Sequence, residues 1–159
     1  MDFDLKALML QFLEMEKEAV CEQLHDYCTA LVVVITPAGR YVDEVSFSGE
    51  EEKIAAYAAV VAKAKARKAT IIITVNAARK GNAPLTDDDL DGYWWGKLAA
   101  DGARDCISIT ASGPGMKSIA LDLDYDIVDG EVLFDSVADF GDTEIGMLPD
   151  WPGAAGQYT

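Results

Sequence analysis

Two short runs of β-branched and aliphatic residues constrain this chain more than any other feature. Leu31-Val-Val-Val-Ile-Thr36 and Thr70-Ile-Ile-Ile-Thr-Val75 are rich in side chains that branch at Cβ. Such side chains are stiff at χ1, crowd a helix and pack well on a pleated surface. Both runs predict buried strands. They fall far short of the roughly 18 apolar residues that cross a membrane, and so does the apolar run Ala55 to Ala62. No membrane partner is predicted. Half of the 159 residues are hydrophobic, too many for a disordered chain. The length suits one domain, predicted over 1–137, followed by a loop-rich segment over 138–159.

Helical spacing dominates the first thirty residues. Leu5, Leu8, Phe12, Met15 and Ala19 form one stripe, and Met9, Leu13, Val20, Leu24, Tyr27 and Cys28 widen it, so a single helix is predicted there. An apolar arc that broad suits either burial in the monomer or self-association through this helix. Pro37-Ala38-Gly39-Arg40 has turn chemistry and predicts a hairpin from the first strand into Tyr41–Phe47. Ser48 and Glu51 have capping-box spacing at the start of a second helix, whose inner face would be Ile54, Tyr57, Ala58, Val61 and Ala62. Its last turn holds Lys63, Lys65, Arg67 and Lys68, where the helix dipole favours cations. Asn76 to Pro84 is predicted as a polar loop. Thr86, followed by Asp87, Asp88 and Asp89, has the cap and dipole chemistry of a third helix. Cys106–Ala111, Met116–Val128 and Glu131–Val137 predict a meander whose Asp129-Gly130 step is a strong hairpin signal. The expected fold is α+β: a mixed, mostly antiparallel sheet of five or six strands. The N-terminal helix and two further helices should cover one face.

Charge narrows the partners. There are 28 acidic against 13 basic residues, a formal net charge of -15. Residues 31–80 are the exception, with eight bases against five acids, a net of +3. Direct binding to nucleic acid depends on neutralising phosphates and is not expected. An acidic mimic of nucleic acid that docks a basic partner fits the charge. Three cysteines give no disulfide framework, and the acidic start Met1-Asp2-Phe3-Asp4 lacks the positive region of a signal peptide. The expected compartment is cytoplasmic.

Three constellations could carry function. Asp122, Asp124 and Asp126 alternate along one strand, so their carboxylates share a face, and carboxylate oxygens suit a hard divalent cation. Leu121, Leu123, Tyr125 and Ile127 would then face the core. The spacing does not fit the calcium-binding EF-hand loop, whose sixth position is glycine. A wet sheet face explains the same pattern, with a basic residue on a neighbouring strand to relieve repulsion. Cys21, His25 and Cys28 have the spacing of one helix face and are competent zinc ligands, or simply half-buried helix residues. Asn76, Arg79, Lys80 and Asn82, followed by Tyr93, Trp94 and Trp95, would join a polar loop to an aromatic helix. Open α/β folds place ligands beyond the carboxyl ends of strands, so this set is the predicted ligand or partner groove. No nucleophile elbow, phosphate-binding loop or dinucleotide fingerprint is present. The expectation is a non-enzymatic binding or interaction module, homodimeric in one version. The alternatives are a divalent-metal protein or metal-dependent enzyme built on the aspartate row, and the nucleic-acid mimic.

Overall fold

A computed structural model describes residues 4–80, 104–135, 140–142, 148 and 151. Helix α1 (Leu5–Gln23) starts at Asp4, whose side chain accepts the amide of Ala7 at 3.0 Å. It stops seven residues before the predicted end. Leu24 adopts φ 51, a left-handed conformation that breaks the hydrogen-bond ladder, and a single 3-10 turn, Leu24–Asp26, follows. Strand β1 (Ala30–Thr36) and strand β2 (Gly39–Glu44) form the predicted hairpin around Pro37 and Ala38. Helix α2 (Glu50–Ala66) leads to β3 (Ile71–Lys80). Then come β4 (Arg104–Ser112), β5 (Ile119–Val128), β6 (Glu131–Phe134) and β7 (Phe140–Asp142). The fold is α+β.

Among the described residues the sheet has seven strands, not the expected five or six, in the order β2-β1-β3-β4-β5-β6, with β7 beside β6 along the same side of β5. Every pairing is antiparallel, so the predicted mixed sheet is corrected. The reason lies in β1. It pairs with both β2 and β3, so the two strands joined by α2 run parallel but are not neighbours. The β5–β6 hairpin turns on Asp129 (φ 51) and Gly130 (φ 78), the two positive φ values that a type I′ turn requires.

The helices lie on opposite faces, not on one as predicted. Leu8, Met9, Leu13 and Val20 of α1 pack with Val33, Ile73, Ile107, Ile109, Leu121 and Leu123. Tyr57, Val61 and Ala64 of α2 pack with Val32, Val34 and Ile72 on the other side. Odd and even residues of β1 and β3 are therefore both buried, which is why their sequences are apolar without alternation. On α2, Ala58 and Ala62 face solvent and Ile54 is 50% exposed, so the inner face is rotated from the predicted one. The predicted capping box also shifts. The cap is Gly49, and the carboxylate of Glu52, not Glu51, accepts the Ser48 amide at 2.7 Å.

Two expectations fall partly or wholly outside the described residues. The helices described are α1 and α2; the third predicted helix, from Thr86, lies in the part that is not described. Segment 138–159, expected to be loop-rich with Trp151 as its anchor to the body, supplies β7 and places two buried side chains, Leu148 and Trp151, in the α2-side core. The Trp151 indole donates to the carbonyl of Ser112 at 3.1 Å.

Candidate functional site

Leu121, Leu123 and Tyr125 of β5 sit in the α1-side core. The two-residue period of a strand therefore turns Asp122, Asp124 and Asp126 to the α2 side. Strand register extends that row across the sheet. Asp122 lies opposite Ser108, which lies opposite Asn76, and Asp124 lies opposite Cys106. One step earlier, the hydroxyls of Thr74 and Thr110 hydrogen-bond each other. The α2 side thus has two halves. Over β1 and the start of β3 it is apolar and packed by α2. From Thr74 and Asn76 across β4 to β5 it becomes a band of hydroxyls, an amide and carboxylates. Tyr57 of α2 marks the border, its hydroxyl donating to Asn76 Oδ1 at 3.0 Å.

Asp126 is exposed, whereas Asp122 and Asp124 are half-buried, each with its Oδ1 out of contact with water. Withdrawing a carboxylate oxygen from water is costly unless charge or hydrogen bonds compensate. Alternate residues of a strand are about 6.8 Å apart along it, so the row spreads out rather than closing around a point. Among the described residues no three His, Cys, Asp or Glu side chains are grouped to hold a metal ion.

The other predicted residues separate. Asn76, Arg79 and Lys80 were expected in a loop but belong to β3, because pairing with β4 continues to the Lys80–Arg104 position. Among the described residues every strand pairing is antiparallel, so the carboxyl ends of neighbouring parallel strands, on which the expected groove drew, are not found among them. Asn82, Tyr93, Trp94 and Trp95 lie outside the described residues. Cys21, His25 and Cys28 do not share a helix face, since α1 ends at Gln23. All three are exposed. Cys21 lines a groove with Glu14, Glu18 and Phe134, and Cys28 lines a separate hollow with Leu31, Val45 and Phe47.

Sequence reasoning missed Ser108, Thr110 and Thr74. The signal was there in the alternation of Cys106, Ser108, Thr110 and Ser112 with Ile107, Ile109 and Ala111. Which side that polar set faces, and what it lies beside, depends on register.

Two buried phenols flank the sheet. On the α1 side Tyr27 donates to the buried Glu16 carboxylate at 2.9 Å, and burial together with that negative charge pushes its pKa upward. On the α2 side burial pushes Tyr57 up to about 12. The ordinary tyrosine value is about 10. Each phenol therefore holds its proton more tightly in the folded than in the unfolded chain. Their contribution to stability is complete below about pH 10 and lost as pH rises towards the folded values. Denaturant midpoints measured from pH 8 to 12 should fall through the upper part of that window. Tyr57→Phe should flatten the fall, and an unchanged slope would place Tyr57 in a more hydrated setting than this one.

Comparison with known protein families, with curated proteins and with solved structures finds no match for this chain. Among the described residues no helix is long and apolar enough to cross a membrane.

Proposed function

We propose that this chain is a non-catalytic binding module that receives a cationic group on the polar half of the α2 side of its sheet. The observation that carries this reading is the band Asn76–Ser108–Asp122 with Asp124 beside it, which lines up an amide, a hydroxyl and half-buried carboxylates on one side of the sheet. A planar or ammonium cation uses such acceptors well, because charge-assisted hydrogen bonds to carboxylates are the strong ones. Hydroxyls and an amide alongside would set its orientation. The net charge of -15 would draw basic partners towards the whole surface and raise their encounter rate. The one histidine, His25, sits exposed on the turn after α1, apart from this band.

The test is calorimetric titration with an arginine-rich hexapeptide at moderate salt. Asp122→Asn with Asp124→Asn should weaken binding at least tenfold, about 1.4 kcal/mol. A control carrying Glu14→Gln, Glu18→Gln and Glu22→Gln removes more charge from α1 and should stay within about threefold of the parent. Asp126→Asn, on the same row but exposed, reports the plain charge effect. No binding by the parent chain, or equal weakening by the control, would overturn the proposal.

A further inference from the structure

The β2 edge of the sheet is unpaired among the described residues, and its sequence complements itself. The opposite edge is shared by two short strands, β6 and β7. Strand β2 is continuous from Gly39 to Glu44 and has no proline, one of the usual guards against edge pairing. Its outward groups follow from the hairpin. A two-residue loop closes on a hydrogen-bonded pair, here Thr36 and Gly39, and such pairs recur at every second residue. Residues 39, 41 and 43 thus bond to β1, and the Val45 amide continues the pattern to Ala30 O at 2.8 Å. The amides and carbonyls of Arg40, Val42 and Glu44 point away from the sheet.

We infer that β2 pairs antiparallel with β2 of a second copy across a two-fold axis at Val42. In that register Val42 meets the partner's Val42, and Arg40 meets the partner's Glu44 on both sides of the axis. Each of these positions has its N–H and C=O directed outward, so each pair can exchange two backbone bonds. Sliding one way stacks Arg40 on Arg40, and sliding the other way stacks Glu44 on Glu44. Opposite charges placed directly across a strand pair stabilise and like charges destabilise, so charge selects the central register. Val42 is 51% exposed and would be covered.

The other side of the same strand agrees. Lys63 and Arg67 lie over the Tyr41 ring at 4.7 and 4.8 Å, and Lys63 holds Asp43 at 2.9 Å. The two-fold sets Asp43 opposite the partner's Tyr41, so each carboxylate meets a second pair of cations. A shallow groove between β2 and α2, lined by Asp43, Ala56, Ala59 and Val60, continues the surface onto α2. This edge also belongs to the stretch 31–80, which carries a net +3 in an otherwise acidic chain. Two copies therefore repel least there. At about 0.15 M salt the screening length of roughly 8 Å leaves local pairs dominant over the distant charge. This surface is separate from the aspartate band, so the two readings stand or fall independently.

The test is sedimentation equilibrium at 0.15 M salt up to the highest soluble concentration. A species of twice 17.1 kDa is expected. Arg40→Glu alone and Glu44→Arg alone each place like charges across the axis and should weaken the dimer at least tenfold. The double exchange, Arg40→Glu with Glu44→Arg, restores opposite charges and should return the dissociation constant to within about threefold of the parent. That recovery shows that the loss in the single variants comes from charge pairing across the axis, and circular dichroism of each single variant checks that it folds. A chain that stays monomeric throughout overturns the proposal, as does a dimer that ignores both single exchanges. A dimer that yields instead to Met15→Glu would move the contact to α1, and that also overturns it.

Discussion

Trp151→Ala is expected to lower the stability of this protein by about 3–5 kcal/mol, the usual cost of truncating a buried tryptophan. For a chain of this length that is a fall in Tm of about 6–20 °C. Trp151 is 4% exposed and packs with Leu148, Tyr57, Val32 and Val34, so it closes the α2-side core from a position far along the chain. Its indole also satisfies the carbonyl of Ser112 at 3.1 Å. Trp151→Phe separates the two contributions. It keeps most of the apolar contact and loses one hydrogen bond, so a cost of about 1 kcal/mol is expected. Urea denaturation followed by far-ultraviolet circular dichroism measures both. If Trp151→Ala costs less than about 1 kcal/mol, residue 151 is not part of the core.

Gly113→Ala should cost at least about 3 kcal/mol, the top of the common range for overpacking. Gly113 follows the last residue of β4 and is buried. A Cβ there would sit 2.0 Å from the backbone oxygen of Thr70 and 3.1 Å from its carbonyl carbon. Backbone atoms cannot rotate aside as a flexible side chain can, so either β3 or β4 must move. Gly141→Ala is the control. It has open space around the new methyl and should change stability by no more than about 0.5 kcal/mol. Equal effects at the two positions would refute the close approach of β4 to Thr70.

Much of this fold is legible in the residues themselves. Val32 to Ile35 and Ile71 to Val75 are strands because their β-branched side chains suit nothing else so well. Pro37 and Ala38 mark a turn, and Asp129-Gly130 marks another, since both residues tolerate positive φ. The stripe from Leu5 to Val20 is helical in sequence and in structure. The end of α1 was not legible. Leu24, Tyr27 and Cys28 continue the apolar spacing, yet the chain turns at Leu24 so that β1 can enter the sheet and Tyr27 can reach Glu16. A local period cannot register a distant hydrogen bond. The same limit applies to β3, where Asn76, Arg79 and Lys80 look like loop residues and are held extended by pairing with β4.

The candidate site divides in the same way. That Asp122, Asp124 and Asp126 share a face follows from the two-residue period of a strand, which is a covalent property of extended backbone. The sequence alone therefore determined the row, the apolar residues behind it and the acidic character of the chain. Tertiary structure alone decided what the row lies beside. Pairing of β3, β4 and β5 brings Asn76 and Ser108 into line with Asp122, although they are 46 and 14 residues away along the chain. It also decided that α1 and α2 take opposite faces, because both parities of β1 and β3 are apolar and each must be covered. Side-chain chemistry sets which surfaces must leave water. Only the register and order of the strands set which of those surfaces meet.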